Sequence, residues 1–161
     1  MEDRYGKMEV KNFQNIVWKI KNFNELTVQD LYKILKSRID VFVVEQNCPY
    51  PDLDGYDDKA IHLWAEENNE ILAYCRIFQK GIKYPESSIG RVLTSEKGRG
   101  KNFGRQLMKF AIEIIENRFK TSEIRISAQD YLLKFYAELG FQDTGKKYLE
   151  DNIPHTEMFR K

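Results

Sequence analysis

The segment Arg99-Gly100-Lys101-Asn102-Phe103-Gly104 carries residue types that can do chemistry together. It lies where a short β-branched run gives way to a long run with helical apolar spacing. A helix N-terminus offers unpaired N–H groups and about half a positive charge. Glycine lets a large anion approach the backbone, and Arg99 and Lys101 add full charges. This set suits a pyrophosphate. The alternative is an ordinary strand-to-helix turn that uses glycine for its angle. A Walker turn needs GxxxxGK[ST], but Arg105-Gln106 follows Gly104, so its lysine and magnesium-binding hydroxyl are missing. A dinucleotide turn needs GxGxxG. Gly98 and Gly100 fit, but Phe103 stands where the third glycine belongs, and the segment lies past mid-chain instead of opening the first βαβ unit.

Metal chemistry finds no support. The two cysteines, Cys48 and Cys75, are outside any CxxC motif, and the two histidines, His62 and His155, are far apart. Zinc needs four ligands at characteristic spacing, so no metal is expected. Two free thiols of a cytosolic protein are the preferred reading over a single disulfide.

The elements that must position the turn follow from periodicity and turn residues. Residues 1–14 are polar and patternless, a lead-in with Met8 as an alternative start; the domain is expected over residues 15–161. Ile16 to Ile20 is a β-branched strand. Thr27 begins a helix, with Asp30 completing a capping box, and Leu31, Ile34, Leu35, Arg38 and Phe42 carry it to about Val44. Asn47 to Asp58 holds two Pro, one Gly and four Asp and is a loop. Its aspartates read as solvated; attraction of a cationic ligand is the alternative. Ile61 to Glu66 and Ile71 to Phe78 flank Asn68-Asn69 as a hairpin. After a polar loop, Ile89 to Thr94 forms a strand. Phe103, Leu107, Phe110, Ala111, Ile114 and Ile115 line a long helix. Glu123 to Ala128 is a strand. Leu132, Phe135, Tyr136 and Leu139 share a face of a short helix that Gly140 ends. Phe141 to Asp143 and Thr156 to Arg160 are the last two strands. This order predicts an α/β (α+β) domain with a mixed central sheet and helices on both faces.

Composition bounds the rest. At 161 residues the chain makes one domain. Lys plus Arg number 26 against 25 Asp plus Glu, so neither a polybasic nucleic-acid arm nor an acidic tail dominates. No apolar run nears the roughly 18 residues of a membrane span, and Met1 to Gln14 lacks a signal-peptide apolar region. A cytoplasmic protein with no nucleic-acid or membrane partner is expected, as monomer or homodimer.

The ends of an Arg-x-x-Gly/Ala-x-Gly motif between a strand and a long helix, here Arg99 and Gly104, and Phe135-Tyr136-Ala137-Glu138-Leu139-Gly140-Phe141 further on resemble motifs of the GNAT acyl-CoA N-acetyltransferase superfamily. Arg38 to Gln46, Cys48-Pro49-Tyr50, Asp52-Leu53-Asp54-Gly55, His62-Leu63 and Ile153-Pro154-His155 with Met158 are similar to its ElaA-like branch. The similarity spans about Trp18 to Met158. One position departs: the first glycine of the superfamily motif is Asn102 here. Asn enters the left-handed region more readily than other side-chain-bearing residues, so the turn can survive.

The resemblance implies acetyl-CoA as acyl donor and an amine as acceptor. Backbone N–H groups of Arg99, Gly100, Lys101, Asn102, Phe103 and Gly104 would cradle the pyrophosphate. Val92, Leu93 and Thr94 would pair with the pantetheine amides while Glu123 to Ala128 splays away. Gln129 holds a place often given to a CoA-contacting Asn. Tyr136 would donate to the departing sulfur; a core aromatic is its alternative. The acceptor amine must be neutral to attack. Glu45 at the end of an apolar run, His62 on a strand and His155 are the candidate bases, each with a purely structural alternative. Neither cysteine has a histidine beside it in sequence, so direct transfer is simpler than an acyl-enzyme. A CoA-binding sensor without chemistry is the competing function.

Overall fold

The structure is a computed structural model that describes residues 15–161, so the expected lead-in over residues 1–14 lies outside the described residues. Seven strands form one sheet: β1 (Ile16–Asn22), β2 (Ile61–Glu67), β3 (Glu70–Phe78), β4 (Ser87–Thr94), β5 (Ile124–Gln129), β6 (Gln142–Glu150) and β7 (Ile153–Arg160). Their order across the sheet is β1-β2-β3-β4-β5-β7-β6. All neighbours are antiparallel except β4 and β5. The sheet is mixed, as expected.

Alternation along β2 and β3 assigns the two faces. Leu63, Ala65, Cys75 and Ile77 pack on α2 (Phe103–Ile114) through Leu107, Met108 and Ala111. Trp64 and Tyr74 turn the other way, onto Ile34 of α1 (Val28–Arg38) and onto Phe42. The expected hairpin turn is present: Asn68 and Asn69 have φ of 50° and 64°, the positive pair that a two-residue turn needs.

The Thr27 hydroxyl accepts from the Asp30 N–H at 3.0 Å, and Asp30 accepts from the Thr27 N–H at 3.1 Å, completing the predicted capping box. Beyond Arg38 the helix widens into π turns over Ile39–Glu45. Its extent matches the periodicity; its pitch does not. Two strands are longer than expected. β6 runs to Glu150 instead of Asp143, and β7 begins at Ile153 instead of Thr156. Nearly every β6 side chain is exposed, so no apolar alternation marks it, and pairing with β7 alone makes it a strand.

The Asn47–Asp58 loop differs most from expectation. Asp58 is exposed, but the other three aspartates are not a solvated surface. Asp52 takes Arg38 Nε at 2.9 Å and Arg91 Nε at 2.9 Å. Asp57 takes Arg38 Nη1 at 2.6 Å and Arg76 Nη1 at 3.1 Å. Asp54 takes Arg76 in a fork, at 2.7 and 2.8 Å. The fork holds the Asp54 carboxyl far below the usual carboxylate range, against the opposing effect of burial. Arg38 and Arg76 are almost wholly buried. An arginine removed from such a cluster leaves a buried carboxylate without its counter-charge. Arg38→Met is expected to cost about 3–5 kcal/mol in denaturant unfolding. Lys97→Met, which breaks an exposed pair with Glu70, should leave the unfolding midpoint near wild type.

Candidate active site

β4 and β5 begin as parallel neighbours and then part. Only Ser87 with Ile124 and Ser88 with Arg125 are in register. The cause lies on the other edge of β4. Its pairing with β3 slips by one residue between Tyr74 and Arg76, and Arg91 opposite the slip has φ of 50°. Such a bulge bends its strand. The residues beyond it, Val92, Leu93 and Thr94, are therefore released from β5 while Leu93 and Thr94 stay paired to Tyr74 and Ala73. The gap opens into a cleft of about 1260 Å³.

The glycine turn closes one end. Ser95 Oγ caps the short 3₁₀ turn Glu96–Gly98, and the Ser95 N–H donates to the Leu72 carbonyl at 2.9 Å. A Cβ on Gly98 would overlap that same carbonyl, so Gly98 is a packing glycine. Gly100 and Asn102 follow in the left-handed region at φ of 75° and 67°. The Asn102 side chain does not cap α2, so the first N–H groups of the helix keep no side-chain partner. Asn102 takes the backbone conformation that glycine favours, as expected. A Cβ on Gly104 would meet Thr94 Cγ2 at 3.5 Å and Phe135 Cζ at 3.8 Å, ordinary contacts. Packing therefore does not demand this glycine.

The cleft gathers most of the residues singled out from the sequence: Glu45, Val92, Leu93, Thr94, Arg99, Gly100, Asn102, Phe103, Gly104, Gln129 and Tyr136. Lys101 is exposed and does not line it. The Arg99 guanidinium donates to the Glu45 carboxylate and to the Thr94 carbonyl, the latter at 3.2 Å. Gln129 faces Gln46 amide to amide, at 3.4 Å. Tyr136 stands on α3 (Leu133–Ala137), on the α2 face, edge-on to Phe135 and Phe141. Burial pushes its phenol well above the ordinary value, so the hydroxyl keeps its hydrogen at neutral pH and is a weaker acid than a free phenol.

His62 is not brought to this cleft. It is wholly buried, and both ring nitrogens are occupied. Nε2 lies 2.8 Å from the Asp57 carbonyl, so it carries the hydrogen, and Nδ1 faces the Tyr74 hydroxyl at 2.7 Å. His155 does line the cleft, with Glu150, Asp151 and Tyr84. No local signal points to Tyr84 or Glu150 as cleft residues, and a β6 ending at Asp143 stops short of Glu150. Both thiols are free, as expected, and both are buried. No cluster of possible metal ligands and no helix long and apolar enough to cross a membrane occurs among the described residues.

A split parallel pair opening on an uncapped helix N-terminus is the scaffold of a CoA-dependent acyltransferase, and comparison with known proteins agrees. The profile described as "Acetyltransferase (GNAT) domain" matches residues 32–161. Protein ElaA of Escherichia coli is 39% identical over 148 residues, covering 91% of this chain and 97% of that one; its crystal structure superposes with a TM-score of 0.83, over 90% of this chain and 99% of that one. An acyl-CoA N-acyltransferase from Pseudomonas aeruginosa is 38% identical, with a TM-score of 0.86 over 91% of this chain and 99% of that one. The PaiA N-acetyltransferase of Thermoplasma acidophilum, solved with coenzyme A, shares the fold at 14% identity and a TM-score of 0.64, over 90% of this chain and 99% of that one. The chain belongs to the GNAT acyltransferase family, which transfers acyl groups from CoA-linked donors.

The placement of His62 has a consequence for stability. Burial lowers its pKa in the folded state. As pH falls through the ordinary value of about 6.5, the unfolded chain takes up a proton that the fold refuses. Stability tied to His62 is thus present above that value and lost below it. Between pH 7.5 and 5.5, His62→Gln should show a smaller drop in urea midpoint than wild type, while CoA binding is unchanged.

Proposed function

We propose that the protein transfers an acetyl group from acetyl-CoA directly to a primary amine of a small molecule or peptide. The observation that carries this reading is the β4–β5 gap: it runs from the uncapped start of α2 past the phenol of Tyr136. Acetyl-CoA supplies the thioester carbonyl and a thiolate leaving group. The N–H groups of Arg99 to Gly104 suit its diphosphate, because Gly104 presents bare backbone at a position where packing would accept a side chain. The unpaired edge of Val92 to Thr94 offers hydrogen-bonding groups to the pantetheine amides. Gln129 bounds the far wall. Tyr136 gives a proton or a hydrogen bond to the leaving sulfur. Glu45, held by Arg99, keeps that guanidinium at the rim of the turn. The reading places the protein in the cytoplasm, where the buried thiols of Cys48 and Cys75 stay reduced.

Binding is tested by thermal shift. Acetyl-CoA at about 100 times Kd should stabilise the fold by about 2.7 kcal/mol. Gly104→Val should fold normally and bind CoA at least about tenfold more weakly, the worth of roughly one hydrogen bond at the turn. Gly98→Ala should instead lower the melting temperature, because its Cβ has no room. A Gly104→Val protein with wild-type affinity would place the diphosphate elsewhere.

Chemistry is tested by screening amines for CoA release from acetyl-CoA. Tyr136→Phe keeps the ring and its packing. It should lower kcat and kcat/KM together, by roughly 10²–10⁴, with CoA affinity unchanged. A wild type that binds acetyl-CoA but acylates no amine is the result expected of a CoA sensor.

A further inference from the structure

Strand register places His155 opposite Gln129 of β5 and Tyr148 of β6, so the three side chains share one face of the sheet. The Tyr148 ring stacks on the imidazole, with centroids 6.0 Å apart and planes 15° apart. The Tyr148 hydroxyl is itself tied to the Ser127 hydroxyl. His155 is 6% exposed and lines the cleft.

The ring is also fixed in tautomer. His155 Nδ1 lies 2.7 Å from the Ile153 carbonyl oxygen. A carbonyl only accepts, so Nδ1 carries the hydrogen, and the neutral ring keeps its lone pair on Nε2. Nε2 faces the Glu150 carboxylate at 3.3 Å. Lone pair and carboxylate are both acceptors, so nothing joins them until a proton arrives on Nε2; then they form a charge-assisted hydrogen bond. Glu45 is engaged by Arg99 and His62 lies outside the cleft. The titratable groups around the ring are Tyr148 and Glu150 on β6, Asp151 in the turn, Glu157 two residues along β7, and Tyr84 ahead of β4. Glu157 is taken by Arg125 at 3.0 Å, and Gln129 does not titrate.

We propose that His155 takes the proton released by the acceptor amine, with Glu150 as the positioning residue that stabilises the imidazolium. This assignment rests on the amine-acetylation reading above. The amine lone pair forms the C–N bond at the thioester carbonyl carbon. The C–S bond breaks with its electron pair on sulfur. The surplus proton on nitrogen passes to His155 Nε2, and sulfur takes a proton from the Tyr136 hydroxyl. Water then returns the imidazolium proton to the Tyr136 oxygen, so amine plus thioester gives amide plus thiol with no further reactant.

The test compares wild type, His155→Asn and Glu150→Gln in full-length protein, with an active amine from the screen. Asn can keep the hydrogen bond to Ile153 but cannot serve as a base. His155→Asn should lower kcat/KM by roughly 10²–10⁴ and remove the acidic limb of its pH profile, while the acetyl-CoA thermal shift persists. Glu150→Gln, at an exposed position, should lower kcat by about 10–100-fold with KM unchanged, the worth of one charge-assisted hydrogen bond. It decides the matter if His155→Asn does not fold. Imidazole ¹⁵N spectra, separable with only two histidines, should show Nδ1 protonated and Nε2 bare in the neutral ring. Full kcat/KM in His155→Asn, unchanged kcat in Glu150→Gln, or a proton on Nε2 of the neutral ring overturns the assignment alone. A wild type that binds acetyl-CoA and acylates no amine overturns the acetyltransferase reading and this assignment with it.

Discussion

Three arginines from three elements, Arg38 on α1, Arg76 on β3 and Arg91 on β4, converge on Asp52, Asp54 and Asp57 of one loop. Desolvating so many charges is costly, and only mutual pairing with good geometry offsets it. Each group therefore needs the others, and the loop is held to one position on the sheet. Tyr50 adds a hydrogen bond to Asp52 at 2.8 Å, and Burial together with that bond raises its phenol's pKa. A loop held only by apolar contacts has more freedom to slide; one held by forked arginines does not. The α1-side wall of the cleft, where Tyr50 and Asp54 stand, inherits that rigidity.

The same cluster reaches the sheet itself. Arg91, whose side chain bonds Asp52, is the residue at positive φ in the β4 bulge. Holding its guanidinium in the cluster favours the bent course of β4, and the bend separates β4 from β5. The split sheet then divides its labour by face. The α2 face is apolar and carries Tyr136 over the core. The α1 face carries polar groups, with Gln46, Gln129 and His155 around the opening. A ligand lying along the gap would meet the Tyr136 phenol on one face and Gln46, Gln129 and His155 on the other.

Much of this was legible in the residues. The Thr27–Asp30 capping box, the Asn68-Asn69 turn and the Gly140 helix end are local, because each depends on backbone chemistry within a few residues. The glycine turn was equally readable, including the left-handed Asn102. β6 was not. Gln142 to Glu150 carries a bulge near Gly145 and no apolar alternation, so its strand character comes from β7 alone. A strand that ends at Asp143 stops short of Glu150, which lines the cleft, and of Tyr148, which stacks on His155. The pairing of the aspartate loop is hidden for a similar reason: its arginine partners lie between 14 and 39 residues away, and local composition carries no record of them.

Sequence by itself determined the family, the element order and the glycine turn at the start of α2, since these rest on short-range patterns and on motifs in fixed order. Only the tertiary structure decided which of the two histidines belongs to the site. His62 lies between Ile61 and Leu63 and His155 between Pro154 and Thr156, and neither pair of neighbours says which ring reaches the cleft. Both rings lie on the α1 face, but His62 on β2 is covered there by Tyr74 and the Asp57 carbonyl, whereas His155 on β7 lines the cleft beside Glu150. The physical reason is strand order: β2 stands two strands from β4 and the gap, while β7 borders β5, and which strands become neighbours is a long-range fact that no short stretch of residues records.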